Sequence, residues 1–277
     1  MKISVSSYSF GQLKRESVEL IGLAKELGFS AIEYTDVPSE IAPLLREESE
    51  AQGLPIICYT VGADFLRAES LEGEIQRLCG QVDTAVALGA TMMRHDATKG
   101  FDGPRAAYQG FAQALPPLAR GYRAVTEYAA VKGIATTVEN HGFFCQDSSR
   151  VAALIGAVGH PNFGALVDLG NFLCADEDPA KATGNLAAMA KHVHAKDFHV
   201  KSGGCDNPGE GWFKSRGGNY LRGAIIGHGE VPIRQCLSNL KRAGYDGYVS
   251  IEFEGMEDCL KGLRIGRENL ERYCAAA

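Results

Sequence analysis

Eight short β-rich runs recur along the chain, each followed by a longer helix-patterned run, at a spacing of roughly 30 residues. They are ISVSSYS (3–9), AIEYTD (31–36), PIICYTV (55–61), TMMRHD (91–96), ATTVENH (135–141), FGALVDL (163–169), VHAKDFH (193–199) and YVSIEFE (248–254). Between them, SVELIGLAKELGF (17–29), IQRLCGQVDTAVALGA (75–90) and LSNLKRAGYDGY (237–248) repeat apolar residues at helical spacing and stop at Gly28, Gly89 and Gly244. Each junction reads as a helix-to-strand loop. Eight such units in 277 residues predict an α/β fold, a single (β/α)8 TIM barrel over 1–277. A doubly wound sheet would use fewer strands and open on a glycine-rich fingerprint, whereas SYSFGQLK has one glycine.

One segment breaks the rhythm. After the seventh strand come about 50 residues before the eighth, a long loop for a compact domain. It is rich in glycine and holds the only tryptophan, Trp212. A loop that follows a barrel strand lies on the catalytic face. The stretch Lys201 to Pro232 is therefore expected to cover the site, with Arg222 and His228 as substrate contacts.

Alternation along the strands brings ionisable residues to successive strand ends, because side chains two apart share a face. Glu139 and His141 share one on strand five, His192, His194 and Lys196 on strand seven, and Glu252 and Glu254 on strand eight; Asp168 ends strand six. Carboxylates crowded this way repel and desolvate one another unless a cation joins them. The set Glu139, Asp168, His194 and Glu252 offers three hard oxygens and one nitrogen, suited to a single divalent metal ion: Mn2+ first, with Mg2+, Co2+ or Zn2+ as alternatives. Lys196 faces the same cavity, where it would hold a substrate oxygen or phosphate or polarise a carbonyl. His192 lies deeper and reads as a core histidine.

The motifs VENHG (138–142), DLGN (168–171), HAKD (194–197) and SIEFEG (250–255) resemble those of the sugar phosphate isomerase/epimerase family, the xylose-isomerase-like TIM barrels. The resemblance implies a metal held by the same four residues. It also implies that Glu139 and Glu252 act as acid and base on opposite faces of a substrate. Asn171 stands where the ketose 3-epimerases of that family carry a substrate-binding histidine. Arg94 and His95, at the end of strand four, are further substrate-binding candidates.

The expected activity is a divalent-metal-dependent sugar isomerase or epimerase. It would remove a proton from the carbon next to a carbonyl of a keto-sugar or related polyol, through an enediolate. The alternative is a lyase of the same family, an inosose-type dehydratase or an enzyme cleaving 3-keto-C-glycosides, with His141 as the acid for the leaving group. The net charge of −6 disfavours nucleic acid and anionic membrane as partners, since phosphate affinity rests on Lys and Arg. The partner expected is a small carbohydrate, with homo- or hetero-oligomerisation left open. Eight cysteines with no CxxC pair, and an N-terminus unlike a signal peptide, point to a reducing, cytoplasmic setting.

Overall fold

The computed structural model describes residues 1–277. Eight parallel strands close into a barrel: β1 (Lys2–Ser6), β2 (Ile32–Thr35), β3 (Ile56–Val61), β4 (Met92–His95), β5 (Ala135–Glu139), β6 (Phe163–Asp168), β7 (Ala190–Ala195) and, last in the ring, β11 (Tyr248–Ile251). The ring closes where β11 pairs with β1, Lys2 opposite Tyr248 and Val5 opposite Ile251. The helices are α1 (Glu19–Glu26), α2 (Ala42–Gln52), α3 (Leu71–Ala87), α4 (Phe111–Ala130), α5 (Ser148–Val158), α6 (Pro179–Leu186), α7 (Ile233–Arg242) and α8 (Cys259–Ala276). Their apolar faces pack on the strands: Leu118, Tyr122 and Val125 of α4, for example, are completely buried. No helix is long and apolar enough to cross a membrane. All eight cysteines are free thiols.

The inside of the barrel departs from the usual layers of branched aliphatics. Ser4 and Ser250 meet Oγ to Oγ at 2.6 Å, and Thr35 meets Thr60 at 2.7 Å. Glu33 and His192 lie below the mouth, both buried. Polar groups this deep must satisfy one another, so the interior is a hydrogen-bonded network rather than an apolar plug.

Three strands end two or three residues earlier than their sequence patterns suggest. The run 3–9 leaves the sheet after Ser6 and turns through a 3-10 helix, 135–141 stops at Glu139, and 248–254 stops at Ile251. In each case the surplus residues have left the ladder to form the mouth. The run 193–199 divides in two. Its second half is β8 (Asp197–Lys201), which joins β10 (Tyr220–Ala224) and β9 (Phe213–Lys214) in an antiparallel sheet ordered β8-β10-β9. The stretch read as a loop thus carries its own sheet, with Asp197 opposite Ala224 and Lys201 opposite Tyr220.

Asp197 anchors this sheet. Its carboxylate accepts from the backbone N–H groups of Phe198, Gly227, Gly229 and Val231 at 2.9–3.0 Å. A Cβ at residue 229 would collide with that carboxylate, which is why glycine stands there. Substituting Asp197 by Ala leaves several buried N–H donors without an acceptor. The expected loss is roughly 2–4 kcal/mol of stability, read from denaturant unfolding; a loss below about 0.5 kcal/mol, the range of an ordinary surface change, would contradict the anchoring role.

Candidate active site

The four strand-end residues singled out above converge. Glu139 and Asp168 are the last residues of β5 and β6, His194 is next to last in β7, and Glu252 comes directly after β11. These strands are neighbours in the ring, and Asp168 stands opposite His194 in the β6–β7 register. Nδ1 of His194 is 4.0 Å from Glu139 Oε1, 3.9 Å from Asp168 Oδ2 and 3.6 Å from Glu252 Oε2. One donor atom from each of the four lies within 4.8 Å of the others.

Local hydrogen bonds aim these side chains. Asn140 clips β5 to β6 by accepting from the Asp168 N–H and donating to its carbonyl, both at 2.9 Å. Oδ1 of Asp168 accepts from the N–H groups of Gly170 and Asn171 at 2.8 Å. The residue therefore caps the following turn with one oxygen and presents the other. That second oxygen, Oδ2, and His194 Nδ1 are buried and make no hydrogen bond. Two orphaned buried donor atoms facing two further carboxylates are what a cation site requires, and the oxygen-rich set fits a hard or borderline divalent ion. Burial, with Glu139 and Glu252 alongside, pushes the Asp168 carboxyl up to about 6 even though Lys196 pulls it down.

Behind His194 sits Glu33. Its Oε1 is 2.7 Å from His194 Nε2, off the line of a well-directed hydrogen bond, and its Oε2 is 2.7 Å from His192 Nε2. A carboxylate against the far nitrogen of a ligand-type histidine fixes the ring's orientation. His192 is the core histidine expected from its depth.

Two cations serve the carboxylates from the sides. Lys196 Nζ lies 2.6 Å from Glu252 Oε2, 3.0 Å from Glu254 Oε1 and 3.4 Å from Asp168 Oδ2. Arg94 Nε lies 2.6 Å from Glu139 Oε2, and its terminal nitrogen 2.8 Å from Asp96 Oδ1. Asn171 joins the two halves, donating to Glu139 Oε1 at 2.9 Å and accepting from Lys196 at 3.2 Å. His141 Nδ1 is 2.8 Å from Asp96 Oδ1; burial works against protonation of the ring, but the Asp96 contact outweighs it and holds the histidine above its ordinary value. For Glu252 burial alone would favour the neutral acid, yet Lys196 and His194 hold it well below the usual carboxylate range. Arg94, Asp96, Glu139, His141, Lys196 and Glu252 line a cavity of about 210 Å3.

Three expected substrate contacts lie elsewhere. His95 is next to Arg94 on β4 and so faces the opposite way. Its ring stacks on Tyr122 at 4.3 Å between centroids, and burial lowers its pKa to about 4. Arg222, on β10, turns to Glu257 at 3.4 Å and sits 5.7 Å over the Trp212 ring, outside the cavity. His228 is exposed on the turn that Asp197 holds, away from the mouth. An irregular covering loop would bring both loop residues to the mouth; the extra sheet carries them outward instead. Among residues not anticipated in the cavity, Tyr8, Asp36, Asp96 and Glu254 line it. Two of these had a signal, since Asp96 is two residues beyond Arg94 and Glu254 two beyond Glu252.

A family model described as xylose isomerase-like TIM barrel matches residues 21–273. The rhizopine catabolism protein MocC of Rhizobium meliloti is 28% identical over 159 residues, which are 55% of this chain and 48% of that protein. The chain thus spans about half the length of the curated relatives it matches. Among solved structures, the probable 3-DHS dehydratase AsbF of Bacillus anthracis superposes with a TM-score of 0.76 at 18% identity, over 98% of this chain and 99% of that one. L-Ribulose 3-epimerase superposes at 0.77 and 14% identity, over 99% and 95% of the two chains. The IOLI protein, solved with a bound zinc atom, does so at 0.77 and 16% identity, over 100% and 99%. At these identities the structural likeness is one of fold, but the family match runs nearly end to end: the chain belongs to the xylose isomerase-like TIM barrel family.

Proposed function

We propose that this protein is a divalent-metal-dependent isomerase or epimerase of keto-sugars or related polyols, working by proton transfer at the carbon beside a carbonyl. The observation that supports this best is the pairing of two chemistries on one small cavity. Three carboxylates and an imidazole there have the donor set of a metal site, and two of the same carboxylates, Glu139 and Glu252, line the cavity in which a substrate would sit. Glu139, Asp168, His194 and Glu252 would hold the ion, which when bound supplies Lewis-acid polarisation of a substrate oxygen.

The chain's own groups supply the rest. Glu252 is kept ionised by Lys196, so it enters the reaction as a base. Glu139 is gripped on both oxygens, by Arg94 and Asn171, which fixes its orientation; to return a proton on the other side it first takes one up from solvent or from a substrate hydroxyl. The Lys196 ammonium, 2.6 Å from Glu252, stabilises negative charge developing on the substrate oxygen nearby.

A lyase is the second reading, and His141 favours it. Hydrogen-bonded to Asp96 on the cavity wall, it is placed to protonate a group leaving from the carbon beyond the carbanion. Both readings share the first step and differ in the fate of the carbanion. Proton NMR in deuterated water across a panel of keto-sugars and inososes separates them. Isomerisation incorporates deuterium into a product of unchanged composition, elimination gives an unsaturated or dehydrated product, and no exchange with any member of the panel would rule out both.

Glu139→Gln and Glu252→Gln are each expected to slow turnover by roughly 10²–10⁴-fold, the usual loss on removing a general base. Metal content is measured alongside, and a variant that keeps activity within about tenfold would place the base elsewhere. Chelation should lower the melting temperature and Mn2+ restore it, with about 2.7 kcal/mol of added stability at a hundred times the dissociation constant. Melting that is indifferent to both treatments would remove the metal site.

A further inference from the structure

A cleft of about 700 Å3 adjoins the catalytic cavity. The two spaces share Tyr8, Thr35, Asp36 and Glu254 among their lining residues and so meet along that edge. By itself the catalytic cavity falls short of the roughly 300–1,000 Å3 that encloses a drug-sized ligand, and it suits one ring; joined to the cleft it enters that range.

The cleft is built rather than left over. On one side is the turn after β1, with Ser7, Ser9 and Gln12; on the other is the extra sheet, with Phe213 and Gly223. Gln12 ties that turn to the far wall by donating to the carbonyls of Gly255 at 3.1 Å and Glu257 at 3.0 Å, and by accepting from the Cys259 N–H at 3.1 Å. Gly223 pairs with Gly255, and a Cβ at 223 would run into the Glu254 carbonyl. The sheet is therefore docked directly on the mouth, and the cleft is open without a closing motion. At the junction, Asp36 adopts a left-handed backbone with φ of 49°, a strained conformation for a residue other than glycine.

The walls define what fits. Tyr8 is 52% exposed and Phe213 39%, two large aromatic faces left open beside a catalytic cavity. The Ser7 and Ser17 hydroxyls and backbone groups lie between them, while Ser9 is buried with its hydroxyl bonded to the Ile251 carbonyl and the Phe253 N–H. The charged lining residues are Asp36 and Glu254, with no Lys, Arg or His among them. Such a surface stacks on a neutral ring, bonds to its hydroxyls and offers no cation of its own to a phosphate or carboxylate.

We infer that the substrate is a neutral glycoside of a keto-sugar, whose ketone-bearing ring lies in the catalytic cavity and whose second ring, a sugar or an aromatic group, occupies the cleft. This rests on the sugar-active reading above and adds the substrate class to it.

Isothermal titration of the Mn2+-loaded protein tests it. The probes are free hexoses of the gluco, galacto and manno series, their 6-phosphates, and their phenyl glycosides and disaccharides in both anomers. In one series at least, a two-ring probe should bind about 10- to 100-fold more tightly than the free hexose, as expected for burying a second ring on aromatic walls, and the 6-phosphate no more tightly than the hexose. The phenyl and disaccharide arms tell which kind of second ring is preferred. Ser17→Trp, which fills the cleft, should abolish the advantage and leave the free hexose within about twofold. Phe213→Ala, at an exposed position, should reduce the advantage with the melting temperature nearly unchanged. The inference is overturned by equal binding of one-ring and two-ring probes, by preference for the phosphates, by binding of no probe, or by an advantage that survives both variants. Solvent-deuterium exchange is measured separately. Two-ring binding without exchange on any sugar would leave the cleft assignment standing and remove the reaction, whereas exchange on free keto-sugars without a two-ring advantage would do the reverse.

Discussion

Glu33 is a carboxylate with no exposure to solvent, and the arrangement above it depends on how its charge is met. An isolated buried carboxylate is expensive enough to be neutralised or paired. Here burial would favour the neutral acid, but His194 and His192 together hold Glu33 well below the ordinary carboxylate range. Ser250 adds a hydroxyl at 3.1 Å. With its Nε2 drawn to Glu33, His194 has only Nδ1 left to turn upward, and Nδ1 is the atom that meets Glu139, Asp168 and Glu252. One pairing deep in the barrel thus orients the ring on which the mouth is organised.

At the mouth the balance of charge runs the other way. Asp96, Glu139, Asp168, Glu252 and Glu254 gather around Arg94 and Lys196, so acids outnumber the permanent cations. The two cations are shared rather than paired off, Arg94 between two acids and Lys196 among three. Asp168 is the group left over, buried, held on one oxygen by backbone N–H groups and pushed up in pKa by its neighbours. A bound divalent ion would relieve that surplus, and its affinity would then report on the same electrostatic crowding that raises the Asp168 pKa.

The recurring strand and helix pattern contained enough to reach the closed barrel, because each strand of a TIM barrel is short, buried and marked by its flanking turns. The convergence of Glu139, Asp168, His194 and Glu252 was also legible, since alternation along a strand survives without any tertiary information. What failed was whatever depended on how the chain leaves a strand. Arg94 and His95 are adjacent in sequence, but one residue along a strand reverses the face, so Arg94 lines the cavity and His95 stacks on Tyr122. Arg222 and His228 were assigned by the chemistry of a glycine-rich segment, without the register of β8 and β10 that turns them outward. Glu33 is visible in the sequence as an ionisable group on an early strand and a possible substrate contact, but its buried pairing is not, because its partners lie on β7 and β11, 159 and 217 residues away.

The seven residues VHAKDFH show how these requirements share one short segment. His194 and Lys196 point inward, the first completing the carboxylate cluster and the second balancing it. Between β7 and β8 the chain leaves the barrel, and at Asp197 a carboxylate turned the other way binds four backbone N–H groups and fixes where the extra sheet sits. That sheet brings Phe213 and Gly223 to the edge of the cleft. Adjacent residues with opposite facing therefore couple the catalytic cavity to the surface beside it. The barrel strands set the chemistry from inside, the anchored sheet sets the shape of the entrance, and a single peptide unit between Lys196 and Asp197 keeps the two in register.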